Sequence, residues 1–428
     1  MADFLAFLKA AGRAVVKGSP AYYGWLAFLG AWMALGGAAM GWQLLNGLGV
    51  TNLSDQVPWG VYIANFTFMV GMAAAAVMLV IPTYIYHDDA LHDVSILGEL
   101  LAVSALVMCL GFIVSDLGRP DRFWHLMPII GRFNFPQSIL AWDVVVINGY
   151  LVINGYIVTY LLFTKFRGKV PEKKMYMPVL FLGVFWAIGI HTVTAFLYSG
   201  LGGRAFWHSA VLPIRFLASA FASGPSFLII ALIVVRDRMK FPVTDAALDR
   251  LRQIVAIAMI LNLFLSASEI FVEMYPGTVH SASMRYLLVG LHGHHKLVPY
   301  IWTGICLDTF AAIVFVTRPL HSKQKTMIAA CACAVVGVWI EKGMGLVIPG
   351  FIPSSLGEIV EYSPSFVEFS ISAGVWALGG FVYTMLLKIG VPIELGQMRK
   401  PGVPNVPIGL NAFGGHHGHD DHAHGGAS

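Results

Sequence analysis

Long apolar runs, each about the length of a membrane-spanning helix, alternate with short polar stretches along most of the chain. A helix that crosses a bilayer needs about 20 consecutive, mostly apolar residues. Ten segments meet this requirement: 21–48, 58–86, 95–115, 135–163, 176–200, 210–235, 252–273, 297–317, 327–348 and 366–388. The pattern therefore predicts an all-α integral membrane protein with about ten transmembrane helices.

Composition supports this prediction. Of the 428 residues, 57% are hydrophobic and only 12% are charged, whereas soluble domains have about 25% charged residues. A disordered protein, a disulfide-stabilised secreted domain and a cytosolic enzyme are thereby excluded. The net charge of +4 comes from basic residues in short loops, so no nucleic-acid partner is expected. The four cysteines lie in apolar runs without a C-x-x-C spacing, so no iron–sulfur cluster or attached haem is expected.

The distribution of lysine and arginine predicts an orientation. With ten spans, 19 of these residues fall on the side of both termini and 6 on the other side. Because cytoplasmic loops are richer in lysine and arginine, both termini are expected in the cytoplasm. The membrane is expected to be the inner, cytoplasmic membrane of the cell. The predicted regions are a cytoplasmic arm (1–20), a membrane domain (21–390) and a Pro/Gly- and His-rich tail (391–428). The tail either binds zinc, nickel or copper loosely or is solvated without a role.

Ionisable residues inside a bilayer are costly, so each is a functional candidate. Most lie toward the predicted extracytoplasmic half; Asp308 is expected near the middle of its span and Glu99 near the cytoplasmic side. Residues of opposite sign in the extracytoplasmic half could pair, for instance Asp116 or Asp143 with Arg215 or Arg204. The alternative for each residue is a buried polar contact that only fixes helix packing. A di-haem site is not expected, because a single histidine, His191, lies well inside a span.

Five motifs follow one another between about residues 20 and 390. They are VPWGVYIANFTFMVGM from Val57, SDLGRPDRFW from Ser115, HTVTAF through RAFWH from His191, PIRFLASAFASG from Pro213, and IPGFIPSSLGE through YSPSFVE from Ile348. Together they resemble the NrfD/PsrC family, the membrane subunits of polysulfide reductase-type complexes. Ten spans resemble the longer branch of the family, which includes DsrP-like subunits.

This resemblance implies a fold, a function and partners. The spans would form two four-helix bundles with the extra helices at the periphery. The chain would exchange electrons between a membrane quinone, menaquinone in preference to ubiquinone, and a four-cluster ferredoxin-like iron–sulfur subunit on the extracytoplasmic side. Cytochrome or other membrane subunits are further expected partners. The chain would work in respiration or sulfur metabolism, only within its complex, without its own haem, cluster or metal site.

The residues themselves agree with a quinone site near the outer surface. Quinol oxidation releases two protons and two electrons, so the site needs proton acceptors near the ring oxygens and an apolar slot for the tail. The imidazole of His191 titrates in a range suited to proton exchange. We interpret it as the partner of one quinone oxygen, Asp116 as an orienting or relaying group, and Arg119 and Arg204 as the mouth of the pocket, beside Trp207 and His208. The segment from Ser115 to Trp124 could equally be a turn that ends its helix.

Five acidic residues are the candidates for a proton pathway, and a path toward the cytoplasm would allow proton translocation. They are Asp143, Glu269, Asp308, Glu99 and Glu341. The alternative function is a proton-coupled secondary transporter that uses the same residues, although the matched pair of broken helices typical of many transporters is not evident. A third possibility is a purely structural anchor, whose buried ionisable residues would be replaceable.

Overall fold

The computed structural model describes residues 1–73, 75–85, 88–92, 94–127 and 129–405, and the His-rich part of the tail lies outside these ranges. Helices dominate the described chain. The main ones are α1 (Ala2–Val16), α2 (Pro20–Asn46), α3 (Val61–Ala73), α4 (Ser95–Asp116), α5 (Ile139–Phe166), α6 (Lys173–Ser199), α7 (Leu212–Met239), α8 (Asp245–Met274), α9 (Val298–Val316), α10 (Gln324–Trp339) and α11 (Phe366–Glu394).

Nine helical stretches within the described ranges are long and apolar enough to cross a membrane, namely α2 and α4 to α11, with α10 counted through Phe351. The tenth predicted segment, 58–86, contains α3, the helix Ala75–Val80 and a π-helical turn, Ile81–Ile85. The protein is thus an all-α integral membrane protein, as the apolar runs predicted.

Helix boundaries follow from local sequence signals. The hydroxyls of Ser19 and Thr244 accept hydrogen bonds from the first turns of α2 and α8. Ser365 and Glu368 form a reciprocal capping box at the start of α11. Gly47 and Gly118 follow the ends of α2 and α4 with φ of +76° and +65°, a conformation that glycine adopts without strain.

The helices form two four-helix bundles. The first bundle consists of α3, α4, α5 and α6, and the second of α7, α8, α9 and α10. The bundles meet where α7 packs on α3 and α6. Helices α2 and α11 pack on each other at the periphery, and α11 also contacts α4. This arrangement confirms the two bundles and peripheral helices that the resemblance implied.

Successive spans alternate in direction, so the connections gather at two ends. We call the end with connections 47–60, 117–138, 200–211, 275–297 and 348–365 the upper end, and the opposite one the lower end. At the lower end, the ammonium of Lys165 lies 2.6 Å from the Glu394 carboxylate. The carboxylate of Asp3 on α1 contacts Lys400 at 2.6 Å. These contacts hold both terminal segments against the first bundle.

Helix α10 does not continue regularly to the upper end. It passes into a π-helical turn, Ile340–Met344, followed by one α-helical turn, Gly345–Val347, and a 3-10 turn, Pro349–Phe351. A π turn inserts one residue into the helical repeat and changes which side chains face each neighbour. As a result, the consecutive side chains of Glu341 and Lys342 are both buried.

Candidate functional site

An aromatic cluster closes the upper end between the two bundles. The indole rings of Trp59 and Trp207 stack with centroids 5.8 Å apart. The Phe351 ring meets the Trp207 ring edge-on at 4.8 Å, and the Tyr198 ring lies 5.3 Å from Trp207. Edge-on and offset contacts of this kind stabilise aromatic pairs. The cluster therefore ties α6 to the connections that lead into α3 and α7 and that follow α10.

The position of Trp207 depends on the irregular end of α10. Its indole N–H donates to the carbonyl of Leu346 at 2.8 Å, which lies in the short turn after the π-helical segment. A Cβ atom on Gly350 would overlap the Trp207 ring. Only glycine leaves room for the indole here. This explains why a tryptophan can be fully buried beside a loop.

The other sequence-predicted residues of the upper loops contact the loops and helix ends around them. Arg204 donates to the carbonyl of Phe351 at 3.3 Å and lies over the Phe351 ring. The His208 ring contacts the carbonyl of Ser199 at 3.4 Å and is exposed. Arg119 forms a double hydrogen bond with Asp121, both 2.9 Å, and its side chain is 64% exposed. Arg119 thus contacts its own loop rather than a pocket mouth.

His191 lies in α6 about two turns below the end of that helix, and its side chain is buried. Its Nδ1 lies 2.6 Å from the carbonyl of Ala187. The other ring nitrogen, Nε2, is buried and finds no hydrogen-bond partner among the described residues. Because Nδ1 must donate to the Ala187 carbonyl, Nε2 is the acceptor in a neutral imidazole. One free acceptor therefore faces the interior.

Asp143, on the neighbouring helix α5, is also buried and accepts a hydrogen bond from the Thr194 hydroxyl at 3.1 Å. Thr194 lies one turn above His191 on α6, so the carboxylate and the imidazole belong to the same region of the first bundle. The suggested pairing of Asp143 or Asp116 with Arg215 or Arg204 is wrong, because those guanidinium groups have other partners.

A second polar group surrounds Asp116, the last residue of α4. One of its carboxylate oxygens is buried without a partner in the described part of the chain. The Tyr62 hydroxyl donates to Gln43 at 2.7 Å, and the Gln43 amide donates to the Ser115 carbonyl at 2.7 Å. The first bundle thus has a second set of buried polar side chains, at the upper end of α4.

The two predicted quinone ligands lie at different depths. Asp116 is at the upper end of α4, whereas His191 is about two helical turns below the upper end of α6. At about 1.5 Å per residue, His191 lies roughly 12 Å along α6 from the upper end of that helix, whereas Asp116 is the last residue of α4.

The start of α11 adds a carboxylate that the sequence interpretation did not include. Glu368 is fully buried and accepts hydrogen bonds from the Tyr362 hydroxyl and from the backbone N–H groups of Asn52 at 2.9 Å and Ser365 at 2.8 Å. Burial, and then the Glu368 charge, raise the pKa of Tyr362 and keep its hydroxyl protonated as a donor. The motif YSPSFVE had indicated this segment, but not the loops that it joins.

The acidic residues of the second bundle gather around Arg215. Its guanidinium group donates to both Glu269 and Glu341, the latter at 2.7 Å. The Glu341 carboxylate also accepts from the Asn262 amide at 2.8 Å and from the Ser266 hydroxyl. The structure therefore brings Glu269 and Glu341 together around Arg215, for which the sequence had suggested other carboxylates as partners.

The two remaining acidic candidates lie apart from each other. Asp308 is buried in α9 of the second bundle, packed so closely on Gly337 that a Cβ atom on that glycine would overlap its carboxylate. Gly337 lies one turn before Glu341, so Asp308 belongs to the same region as Glu341. Glu99 is buried near the lower end of α4, in the first bundle. An inward path that uses both residues would have to cross from one bundle to the other.

A narrow cleft of about 30 Å³ reaches the arginine-centred group of the second bundle. Its polar lining comes from Arg215, Ser266, Glu269 and Glu341, and its apolar lining from the short helix Ala282–Leu288 and from α9. Ser266 and Asn262 were missed by the sequence interpretation, because a lone serine or asparagine in an apolar run is indistinguishable from a packing residue. Lys342 was visible in the sequence as a lysine inside a span, but no role was assigned to it. No group of three potential metal ligands occurs among the described residues.

The fold and these buried groups define a class: a polytopic membrane protein of two helix bundles, with two groups of buried titratable side chains toward its upper end. Residues 49–352 match the family model described as polysulphide reductase, NrfD. The chain belongs to the NrfD family, and the resemblance drawn from the five motifs is confirmed. As a member, it is a membrane subunit of a redox complex.

Several curated relatives match most of the chain. A selenate reductase subunit of Mesobacillus selenatarsenatis is 23% identical and covers 86% of this chain and 94% of its own length. A putative dimethyl sulfoxide reductase membrane subunit of Halobacterium salinarum is 22% identical, with coverages of 84% and 89%. The Hdr-like menaquinol oxidoreductase integral membrane subunit of Archaeoglobus fulgidus is 25% identical, with coverages of 86% and 93%. The transporter hypothesis finds no support among these names.

Proposed function

We propose that the chain binds a membrane quinone between its bundles near the upper end and exchanges electrons there with an iron–sulfur partner subunit. The observation that carries the proposal is the free, buried Nε2 of His191. A buried polar nitrogen without a partner costs free energy unless something bonds to it. The hydroxyl of a quinol can donate a hydrogen bond to such an acceptor nitrogen.

The chain's own groups have distinct tasks in this proposal. The bound quinone supplies the exchange of two electrons and two protons. His191 accepts or donates the proton at one ring oxygen, while its Nδ1–H bond to the Ala187 carbonyl fixes the tautomer. Because Asp116 lies higher than His191, it relays protons toward the upper surface rather than contacting the same oxygen. The aromatic cluster of Trp59, Trp207 and Phe351 excludes water from above.

The quinone is of the menaquinone type in this proposal. The support is the name of the Archaeoglobus fulgidus relative, which is a menaquinol oxidoreductase subunit. The other proposed residues of the site, Arg119, Arg204 and His208, line the upper loops and would contact the partner rather than the ring.

The partner is proposed to be a ferredoxin-like iron–sulfur subunit that covers the upper end. Support comes from the connection 117–138, which exposes large apolar side chains, including Phe123, Trp124, Ile129 and Ile130. A cluster of exposed apolar residues outside the spans is typical of a protein-binding surface. Trp124→Ala combined with Ile130→Asp should release the partner from the purified complex without lowering the yield of this chain.

The acidic residues are proposed to conduct protons. Asp143 serves the His191 region, and Glu269 and Glu341 serve the second bundle, where the cleft provides access. A further path through Asp308 to Glu99 would make the subunit a proton translocator. If Asp308→Asn retains both electron transfer and proton uptake, the inward path is excluded.

The quinone site is tested by binding of a fluorescent quinol analogue to the purified complex, measured as quenching of its fluorescence. His191→Ala should weaken binding at least about tenfold, since a hydrogen bond from a buried group is lost. Asp116→Asn should leave binding within a few-fold and lower turnover. His280→Ala, an exposed upper-end histidine, is the matched control. Unchanged binding in His191→Ala would place the quinone elsewhere.

A further inference from the structure

Lys342 is a buried ammonium group at the junction of the two bundles. It lies in the π-helical turn, is 4% exposed, and donates to the Phe216 carbonyl at 3.2 Å. Its Nζ also lies 4.4 Å from the centre of the Phe216 ring. On the opposite side, a Cβ atom on Gly71 of α3 would lie 3.2 Å from Nζ. A glycine at this position of the first bundle therefore leaves the space that the lysine occupies.

No carboxylate forms an ion pair with Lys342 within the described ranges, although buried lysines are normally paired. The charged and titratable groups that influence it are Glu341 and Arg215 in the second bundle and Cys109 and His191 in the first. Its ammonium group has three protons to donate, and one carbonyl and one ring face them. This environment binds the ammonium weakly for a buried charge.

A small cavity joins Lys342 to its neighbour in sequence. Its lining includes Lys342, Glu341, Arg215 and Asn262, and it has room for about one water molecule. The π-helical turn makes this possible, because it buries two consecutive side chains that a regular helix would separate by about 100°. The cavity provides the polar space that proton transfer between the two side chains requires.

We propose that Lys342 carries protons between His191 in the first bundle and Glu341 in the second. This inference rests on the proposed function, since it assumes that His191 exchanges protons with a quinone. It adds the connection that the acidic groups of the two bundles otherwise lack.

The transfer balances as a movement of one proton without electrons. The Lys342 ammonium first gives a proton to the Glu341 carboxylate, directly or through a water in the cavity, so that one N–H bond breaks and one O–H bond forms. The neutral Lys342 amine then takes up the proton that is released when the N–H bond at Nε2 of the His191 imidazolium breaks. The group of Arg215, Glu269, Glu341 and Lys342 has no net charge whether this proton is on Lys342 or on Glu341. The transfer therefore creates no net charge in a medium of low polarity, where an uncompensated charge would be costly.

The experiment uses the intact complex in proteoliposomes and measures electron transfer and proton movement from a quinol analogue. Lys342→Met should leave analogue binding within about twofold and reduce protons moved across the membrane per electron by about tenfold or more. Lys342→Arg keeps the charge but cannot release a proton, so it should behave like Lys342→Met. Lys342→His, which titrates, should recover part of the proton movement.

Lys388→Met is the matched control, because Lys388 also lies over an aromatic ring, that of Tyr22, at 4.8 Å, but at the periphery. It should retain the proton stoichiometry. Normal proton movement in Lys342→Met or Lys342→Arg would overturn the inference, as would a wild-type complex that moves no protons across the membrane. Unchanged analogue binding in His191→Ala would instead contradict the quinone site, so failures of the two proposals are distinguishable.

Discussion

Arg215 and Arg119 both pair with carboxylates, but their surroundings differ. Arg215 lies between Glu269 and Glu341 with 15% of its side chain exposed, whereas Arg119 and Asp121 are more than half exposed. A buried pair gains from the low polarity around it, but removal of one partner leaves an uncompensated charge. An exposed pair is screened by water and ions and contributes little.

This difference in burial predicts which variants lose the most free energy of unfolding. Arg215→Met leaves two buried carboxylates without a cation and should lower the free energy of unfolding by about 3–5 kcal/mol. Glu341→Gln should cost less, because Arg215 keeps Glu269. Arg119→Met, the surface control, should have no measurable effect. Denaturant unfolding in detergent micelles checks the order, and an Arg119 variant as unstable as the Arg215 variant would contradict it.

Glu361 links two upper-end connections through a pH-dependent contact. Its carboxylate accepts from the Lys296 amide at 2.9 Å and lies 3.4 Å from His294. Partial burial raises its pKa, but the Lys296 amide and the His294 contact outweigh burial, so the pKa lies below its usual value. A lowered pKa means that the folded state favours the ionised form.

The contact should therefore be fully present above about pH 5 and be lost as the pH falls through the lowered pKa. At about pH 6, Glu361→Gln should speed hydrogen exchange in residues 290–297 relative to the wild type measured at the same pH. At about pH 3 the two proteins should exchange alike. Glu358→Gln, an exposed neighbour, serves as control. A difference that persists at the acidic pH would show that ionisation of Glu361 is not its cause.

At the scale of single elements, the crossing of α2 and α11 depends on two glycines. A Cβ atom on Gly36 would lie 2.6 Å from the Gly374 Cα, and one on Gly374 would lie 2.8 Å from the Gly36 Cα. In membranes, small residues let helix backbones approach closely and gain packing contacts. The two peripheral helices are thus in direct backbone contact.

Gly36→Ala should push α2 from α11 and cost about 1–3 kcal/mol, the usual range for overpacking. A Cβ atom on its sequence neighbour Gly37 would have nothing within 4 Å. Gly37→Ala should be neutral or stabilising by up to about 1 kcal/mol, since alanine favours the helix. Thermal unfolding of both variants in the same detergent measures the two changes in stability. Equal changes would mean that α2 and α11 can move apart at their crossing without loss of stability.

The helices were predictable from sequence because each long apolar run is a local property. The partners of the buried residues were not. Arg215 pairs with Glu269 and Glu341 because of how α7, α8 and α10 face one another, which a single sequence does not reveal. The π-helical turn at Ile340–Met344 has no residue signal of its own, yet it determines where Glu341 and Lys342 point.

At the scale of the whole molecule, the two bundles divide the chemistry. The first contains His191 and Asp143, and the second contains Arg215 with its two glutamates. Both groups lie toward the upper end, where the connections carry few basic residues, while the lower connections carry most of them. The fold therefore places the candidate site opposite the end that the basic residues predict to face the cytoplasm.

That orientation, and the count of ten spans, can be tested with single cysteines in a variant whose four native cysteines are replaced by alanine. A thiol reagent that cannot cross the cytoplasmic membrane is applied to cells whose outer envelope lets it pass. It should label Asp55→Cys and Ile129→Cys, but not Ala90→Cys or Lys169→Cys. Permeabilised cells, the control, should label all four variants. Positions 55 and 90 flank the segment that contains α3, so labelling of both from outside would mean that this segment does not cross. Labelling of Lys169→Cys alone from outside would reverse the orientation and with it the side on which the iron–sulfur partner is proposed to bind.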